Sequence, residues 1–398
     1  KDATPRRSTL RKTPTGIGRP CGCAAIPVSS TRARCHPRRR SPARGCDVAL
    51  AAEIQFEMRP TNGTANAGGG FKAGASGTDR SQQNAVQTAF TDLVIGNPTT
   101  TALTSAASPF GATDVGNVIA VTGGTGFTTG LYEVVSVAGT TATMDRSVGT
   151  AGSTGGTGNL GGARSGFSNG TTTLQASLVA GQKVWVKNEA WNEVVTLSVA
   201  GTAGAPITIE GYATTRDDGT PTSVHPVNDR AAAAGNGIAI SGAFNIIRFI
   251  DVTAAGADGF NRTSTSGMYV GCRSFSNGGD GFESNTATIM VACEAYLNTG
   301  RGVANNNSSL LIHGLYTHDN TGMGLDTING GLQSFAWSIF EANASHGLEM
   351  FVGPATGMLI NCTVDGNTGA STDGLSMPTN PNVNALVYNC IFSNNGRD

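Results

Sequence analysis

The 398-residue sequence is poor in charged residues (13%) and in aromatic residues (6%). It contains no long apolar pattern with a period of 3.6 or 3.5 residues, which argues against a helical bundle or a coiled coil. It also contains no run of 18 apolar residues, and no apolar segment of signal-peptide length precedes "ALAAEIQF". We therefore expect no membrane insertion.

Positive charge is scarce outside a basic leader. Residues 1–47 contain 12 Lys and Arg against two acids, and the rest of the chain contains 14 against 25, a net charge of −11. Four cysteines lie in the leader, but Cys21-x-Cys23 and the lone His36 lack the spacing of a structural zinc site. We predict that residues 1–50 are an Arg- and Pro-rich disordered tail or an upstream stretch translated out of frame. We expect no nucleic-acid partner.

What the sequence has in abundance is glycine, 56 residues of it, arranged in a repeat. Successive phrases end on glycines that are 22, 22, 21, 22, 23 and 27 residues apart. These glycines are Gly237, Gly259, Gly281, Gly302, Gly324, Gly347 and Gly374. A period of this length is typical of one coil of a solenoid, in which each coil packs only on its neighbours.

Three columns of the repeat have the small or apolar character of inward-pointing residues. They are Cys272, Cys293, Leu315, Ser338, Cys362 and Cys390; then Asn277, Asn298, Asn320, Asn343, Asn367 and Asn395; then Phe260, Phe282, Val303, Leu325, Leu348 and Leu375. We expect the cysteines to pack as free thiols, because side chains stacked in parallel fit disulfide torsions poorly. We expect the asparagine amides to bond to one another and to turn carbonyls.

The phrases "NCTVDGNTG" and "NCIFSNNGRD", with "AGQKVWVKNEAWNEVVTLSVAGTAGAPITIEGY" before them, resemble the right-handed parallel β-helix superfamily of pectate-lyase-like enzymes and phage tailspikes. The resemblance covers residues 171–398 and implies an all-β solenoid of stacked coils. It transfers no catalytic residue, since the motifs of the lyase and polygalacturonase families are not present in order. It makes a homo-trimer one expectation, although the sequence has no trimer signature.

The remaining chain divides into smaller parts. We expect an N-terminal strand and loop over residues 51–87 and a small antiparallel β module over residues 88–162, with its Gly-rich end at 150–162 as a flexible connection. "TTTLQASLVAG" predicts a short capping helix with Thr173 as N-cap and Gly181 as its stop. The repeat breaks off at "SNNGRD", from which we expect residues 171–398 to be a β-helix truncated at its C-terminus.

Outward-pointing columns are where ligand contacts are expected, since they change from coil to coil. Phe275, Tyr296, His318, Glu341 and Asp365 form one such column. Arg273, Glu294 and Tyr316 form a second on the same face. Aromatic faces stack on sugars and carboxylates accept hydroxyl hydrogen bonds, so Arg273, Phe275, Glu294, Tyr296 and Tyr316 are predicted to bind saccharide.

Carboxylates on consecutive coils are the candidate catalytic groups. Glu341 with Asp365, and Asp326 with Glu349, are each expected about 5 Å apart, which suits a retaining glycosidase. His318 is expected to assist with Glu341 rather than with Asp319, since adjacent residues face opposite ways if both are on the strand. Simple solvation of an acidic surface is the alternative. We expect no metal and no cofactor; Ca²⁺ between such carboxylates is the one exception to consider.

Three functions follow, in order of preference. The first is a secreted or virion-associated, tailspike-like or adhesin-like protein that binds surface polysaccharide, located outside the cell or on a virion. The second is a polysaccharide lyase or glycoside hydrolase that uses the paired carboxylates. The third is a structural fibre segment without a ligand.

Overall fold

Short parallel strands that recur once per coil make up most of the molecule. The computed structural model describes residues 50–218, 224–306, 309–328, 331–350, 356–369, 372–377 and 384–397, all within the unit Asp47–Asp398. The expectations for the leader, including its disorder and its cysteines, concern residues outside this described part. So does the break at Asp398.

Three long sheets run along the solenoid, and each coil contributes one strand to each sheet. The first sheet consists, in spatial order, of Gly70–Lys72, Ile54–Met58, Lys183–Lys187, Ile207–Tyr212, Asn245–Arg248, Gly267–Val270, Thr288–Val291, Leu310–His313, Leu332–Ala336, Thr356–Ile360 and Asn384–Tyr388. The second consists of Ala190–Trp191, Val227–Asp229, Asp251–Thr253, Arg273–Phe275, Glu294–Tyr296, Tyr316–His318, Ile339–Glu341, Thr363–Asp365 and Ile391–Ser393. The third consists of Val195–Leu197, Ile238–Ile240, Phe260–Arg262, Phe282–Ser284, Val303–Asn305, Leu325–Thr327, Leu348–Met350 and Leu375–Ser376.

This arrangement is the right-handed parallel β-helix that the repeat predicts. Every pairing between coils is parallel; Gly70–Lys72, which precedes the first coil, is antiparallel to Ile54–Met58. Parallel crossovers in one sheet are almost always right-handed. A single apolar core fills the interior. The middle residues of second-sheet strands point into it, as Val252, Ala295 and Phe340 do. On the third sheet the first residues of the strands do so, as Phe260 and Leu325 do.

The asparagine column forms a continuous ladder of buried amides in the bend between the second and third sheets. Each Nδ2 donates to Oδ1 of the next coil, at 2.8, 2.9, 2.9, 3.1 and 2.8 Å from Asn277 through to Asn395. The same amides also donate to backbone carbonyls, as Asn320 does to Ala295 O at 3.0 Å. The predicted bonding is therefore present. The four body cysteines, Cys272, Cys293, Cys362 and Cys390, are free thiols, as expected.

Two bends per coil depend on residues in the left-handed region, a feature that the sequence columns did not indicate. One precedes the cysteine column, where Ala292 and Trp337 have φ of 51° and 55°. The other precedes the asparagine column, where Leu297 and Asp319 have φ of 56° and 54°. Non-glycine residues pay about 1–2 kcal/mol for this conformation. The stacked coil must supply that free energy wherever the bend residue is not glycine; Gly271, Gly314 and Gly366 occupy such positions in other coils.

The antiparallel module near the N-terminal end is a closed six-stranded barrel. Its strands are Thr88–Ile95, Ala102–Thr104, Val118–Gly123, Gly130–Ala138, Thr141–Met144 and Thr154–Leu160, with a 3₁₀ turn at Ala112–Asp114. The prediction of a flexible connection over residues 150–162 was wrong, because Thr154–Leu160 pairs with two strands and closes the barrel. Its glycines allow close packing: a Cβ on Gly156 would lie 2.4 Å from the Phe127 ring.

The capping segment is a single helical turn, Leu174–Ser177. Thr173 is the N-cap but its side chain makes no capping hydrogen bond, and Leu178 is already extended, so the helix ends before Gly181. Leu174 and Leu178 are both buried in the main core. The segment therefore covers the first coils with two leucines rather than with a long helix.

Candidate functional site

An aromatic stack runs along the outer face of the second sheet. Phe275, Tyr296 and His318 are in register on three successive strands. Their ring centroids are 4.8 and 4.9 Å apart, with interplanar angles of 8° and 4°. The coil spacing of about 4.8 Å sets this distance, so each ring lies flat on the ring of the coil before it.

The stack changes which ring surfaces a ligand can contact. The face of Tyr296 is covered on both sides by Phe275 and His318, so only its edge and hydroxyl point outward. The register continues from Phe275 to Thr253, which has no ring. In this column the far face of Phe275 has no ring stacked on it. Tyr316, in the second column, stacks on His318 with ring centroids 4.2 Å apart.

Arg273 is held beside this stack by a buried carboxylate. Its Nε donates to both oxygens of Asp251 at 3.0 Å. On the other side, Asp251 Oδ1 lies 2.7 Å from Nδ1 of His225. Asp251 is fully buried, and the hydrogen bond to it raises the pKa of Arg273. The sequence columns missed Asp251, although it lies 22 residues before Arg273, one repeat back.

His318 lies among carboxylates, but not the one expected. Its Nε2 is 3.2 Å from Glu294 Oε1 and its Nδ1 is 2.8 Å from Asp319 Oδ2. The expectation that Asp319 faces away was wrong, because the strand ends at His318 and the positive φ of Asp319 turns its side chain back. The predicted partner, Glu341, instead accepts the hydroxyl of Tyr316 at 2.7 Å.

Glu341 and Asp365 are neighbours in register, as the repeat predicts. Asp365 accepts hydrogen bonds from Ser393 Oγ at 2.6 Å and Asn394 Nδ2 at 2.8 Å, and these bonds lower its pKa. Asp365 is therefore a stable carboxylate within this pair. Tyr316 lies next to this pair. Burial and the hydrogen bond to Glu341 raise the pKa of Tyr316 to about 12.

Asp326 and Glu349 are also in register, on the third sheet, but they are buried rather than exposed. Their exposed fractions are 4% and 6%. Asp326 Oδ2 is 3.1 Å from Arg301 Nε, and its Oδ1 has no hydrogen-bond partner. Asp326 and Glu349 are the middle residues of their strands and were expected to face solvent. Instead, all three residues of Leu325–Thr327 and of Leu348–Met350 are buried.

Burial makes this row of carboxylates hard to ionise. It raises the pKa of Asp326 to about 6 and that of Glu349 above its ordinary value. One end of the row holds Glu283, whose pKa is raised to about 7 by burial and by Asp258. The positive ends of Arg301 and His346 counteract this rise in the pKa of Asp326. These two residues were not singled out from the sequence, although each directly precedes a repeat glycine, a position that could have identified them.

Metal binding has no support in the described ranges, where no group of three or more His, Cys, Asp or Glu is arranged to hold an ion. In the same part of the chain, no helix is long and apolar enough to cross a membrane.

Comparisons with known proteins give the following. No family model and no curated protein sequence matches. Among solved structures, a pectate lyase is 16% identical over 48% of this chain and 47% of its own, with a TM-score of 0.35. An alginate lyase from Paenibacillus sp. is 13% identical over 55% and 93%, with a TM-score of 0.43. The catalytic domain of an α-1,3-glucanase is 11% identical over 78% and 72%, with a TM-score of 0.35. This chain thus spans about half the length of that pectate lyase, and similarity at this level assigns it no activity.

Proposed function

We propose that the protein binds polysaccharide along the outer face of the second sheet. The observation that supports this best is the continuous stack of Phe275, Tyr296 and His318 with polar groups on both sides. A flat aromatic surface beside hydrogen-bond acceptors suits a sugar ring, which has apolar C–H faces and hydroxyls at its rim.

The stack suggests where a sugar ring would lie. Beyond Phe275 the next residue in the column is Thr253, so a pyranose placed over Thr253 would extend the stack by one step. Further along, the edges of the rings and the carboxylates of Glu294 and Glu341 line the path of the chain. Because a sugar ring stacked on Phe275 lies across the solenoid axis, a glycan that continues along the axis must turn at that sugar.

Calorimetric titration with a panel of oligosaccharides tests the proposal. Phe275→Ala should reduce affinity at least about tenfold, because the ring that receives the sugar is lost. Tyr388→Ala is the matched control, since Tyr388 is 66% exposed on the first sheet, and it should leave affinity unchanged. Both variants should keep the thermal transition of the parent protein. If no oligosaccharide binds the folded protein, or if both variants bind equally well, the proposal is wrong.

A polysaccharide lyase or glycoside hydrolase is the second candidate. One observation favours it: the raised pKa values of Asp326 and Glu283 are those of carboxyl groups able to donate a proton near neutral pH. Release of reducing ends or unsaturated sugars from a polysaccharide panel tests it. Asp326→Asn combined with Glu349→Gln should abolish such release, and Glu341→Gln with Asp365→Asn should do so if the second sheet carries the reaction.

The setting of this binding is part of the same proposal. We propose that the face acts outside the cell, on a secreted protein or a virion, and the resemblance to tailspikes makes a homo-trimer the oligomer to look for. Light scattering of the purified protein measures the oligomeric mass directly; a monomer at all concentrations would contradict the trimer without affecting the binding proposal.

A further inference from the structure

The outer face of the second sheet has an uneven balance of charge. The first and third residues of its strands point outward, since the middle ones are buried. From Val227–Asp229 onward, the described strands place five acids and one guanidinium in the outward-pointing columns: Asp229, Asp251, Glu294, Glu341 and Asp365, with Arg273; Asp251 among them is fully buried. Asp319, just beyond its strand and half exposed, adds a sixth acid.

The guanidinium is already engaged. Arg273 forms a two-oxygen contact with Asp251, a geometry that gives a strong, directional ion pair. A carboxylate on a ligand would have to compete with a buried carboxylate that is in place before the ligand arrives. Arg273 is therefore a poor receptor for an acidic sugar.

The other outward groups include carboxylates that contact neighbouring side chains of the face. His318 has a carboxylate at each ring nitrogen, Glu294 at Nε2 and Asp319 at Nδ1. The hydroxyl of Tyr316 is donated to Glu341. The donors of His318 and Tyr316 are thus used internally, and these contacts engage one oxygen of each carboxylate, Oε1 of Glu294 and Oε2 of Glu341.

We propose that the polysaccharide bound here carries amino groups, and that uronic-acid polymers are disfavoured. This rests on the proposed function: the aromatic stack makes the site, and the carboxylates beside it set its preference for charge. An ammonium group on the sugar donates to carboxylate oxygens and is also attracted to the faces and edges of the aromatic column. A uronate in the same place meets like charge on neighbouring coils, each about 4.8 Å further along.

A matched series of ligands tests the inference. β-1,4-linked hexasaccharides of glucosamine, glucose and glucuronic acid share a backbone and differ in charge. Calorimetry is done at mildly acidic pH, where the amines are charged and exposed carboxylates, which titrate near about 4, are ionised. At about 0.01 M salt, affinity should fall from glucosamine to glucose to glucuronate, with at least about a tenfold span; at about 1 M salt the span should shrink severalfold.

Charge-removing variants separate the face from the rest of the acidic molecule. Glu294→Gln with Glu341→Gln should reduce the ratio of glucosamine to glucose affinity at least about threefold. Glu53→Gln, which removes an exposed carboxylate at the start of the first sheet, should leave that ratio unchanged. Melting curves of all three proteins show whether they are folded.

The outcomes distinguish the two proposals. Equal affinity for the three hexasaccharides, or tightest binding of the glucuronate, overturns the inference while the polysaccharide proposal stands. The expected order with an unchanged ratio in Glu294→Gln/Glu341→Gln also overturns it, because the preference would then come from net charge. Absence of binding to these ligands and to the wider oligosaccharide panel overturns both.

Discussion

The outer faces of the second and third sheets belong to the same coils, yet their carboxylates differ in exposure and in the direction of their pKa shifts. On the second sheet, Glu294 and Asp365 are accessible and hydrogen-bonded, and the pKa of Asp365 is lowered. On the third sheet, Asp326 and Glu349 are buried and their pKa values are raised. Position in the repeat fixes which way a side chain points, but neighbouring side chains and loops decide whether it meets water.

The largest effect is expected where the two faces join. Asn320→Leu removes both donors and the acceptor of a buried amide in the bend between the sheets. Because the partner amide of Asn298 then loses its acceptor, the free energy of unfolding should fall by about 4 kcal/mol. Both faces should be weakened together. Thr321→Leu, at the exposed neighbour, should change it by less than about 0.5 kcal/mol in urea unfolding; equal effects of the two changes would show that the ladder does not hold the faces together.

A smaller effect should separate the faces. Arg301→Met leaves the buried carboxylate of Asp326 without its cation, so at pH 8 the free energy of unfolding should fall by about 3 kcal/mol. On the second sheet, Glu294→Gln removes one partner of the contact with His318 and should cost less than about 1 kcal/mol, as exposed pairs do.

Adding Asp326→Asn to Arg301→Met should restore most of the loss, since the uncompensated charge is removed. Urea unfolding measures all four proteins. Similar losses on the two sheets would contradict the difference in burial from which the comparison starts.

The smallest of the three effects is a dependence on pH. The pKa of Asp326 in the folded protein is about 6 and that of Glu283 about 7, whereas both groups titrate near about 4 in the unfolded chain. The folded state therefore binds more protons between about pH 4 and pH 7, and stability falls as pH rises through that window. The melting temperature should be about 3 °C higher at pH 5 than at pH 7.5.

Asp326→Asn combined with Glu283→Gln should flatten this dependence, whereas Asp365→Asn should leave it unchanged between pH 5 and pH 7.5. The reason is that hydrogen bonds lower the pKa of Asp365, so its contribution is lost only at more acidic pH. A melting temperature that rises from pH 5 to pH 7.5 in the parent protein would show that the third-sheet carboxylates are not the dominant titrating groups.

The sequence predicts the columns well because every coil repeats the same backbone geometry. Phe275, Tyr296 and His318 are in register, and the amides of Asn277 and Asn298 are bonded, since a fixed period places equivalent residues on one line. Those properties depend only on spacing and on which face a residue occupies.

Contacts that depend on neighbours outside the column could not be predicted in this way. The partner of His318 depends on one backbone angle, at Asp319. The burial of Asp326 depends on what covers the third sheet, and Gly156 is needed because its Cβ would meet the Phe127 ring. None of these contacts recurs from coil to coil, so an alignment of the repeats carries no information about them.

The asparagine ladder also gives the solenoid an electrical direction. Every amide from Asn277 to Asn367 donates to the amide oxygen of the next coil, and none of these amides donates to the amide oxygen of the previous coil. Aligned amide dipoles add and polarise one another, as peptide dipoles do along an α-helix. Whole coils can therefore be inserted or deleted without disturbing the pattern, but a coil of reversed sense would place two donors against each other. Such a chain can change in length by complete units while its polarity stays fixed.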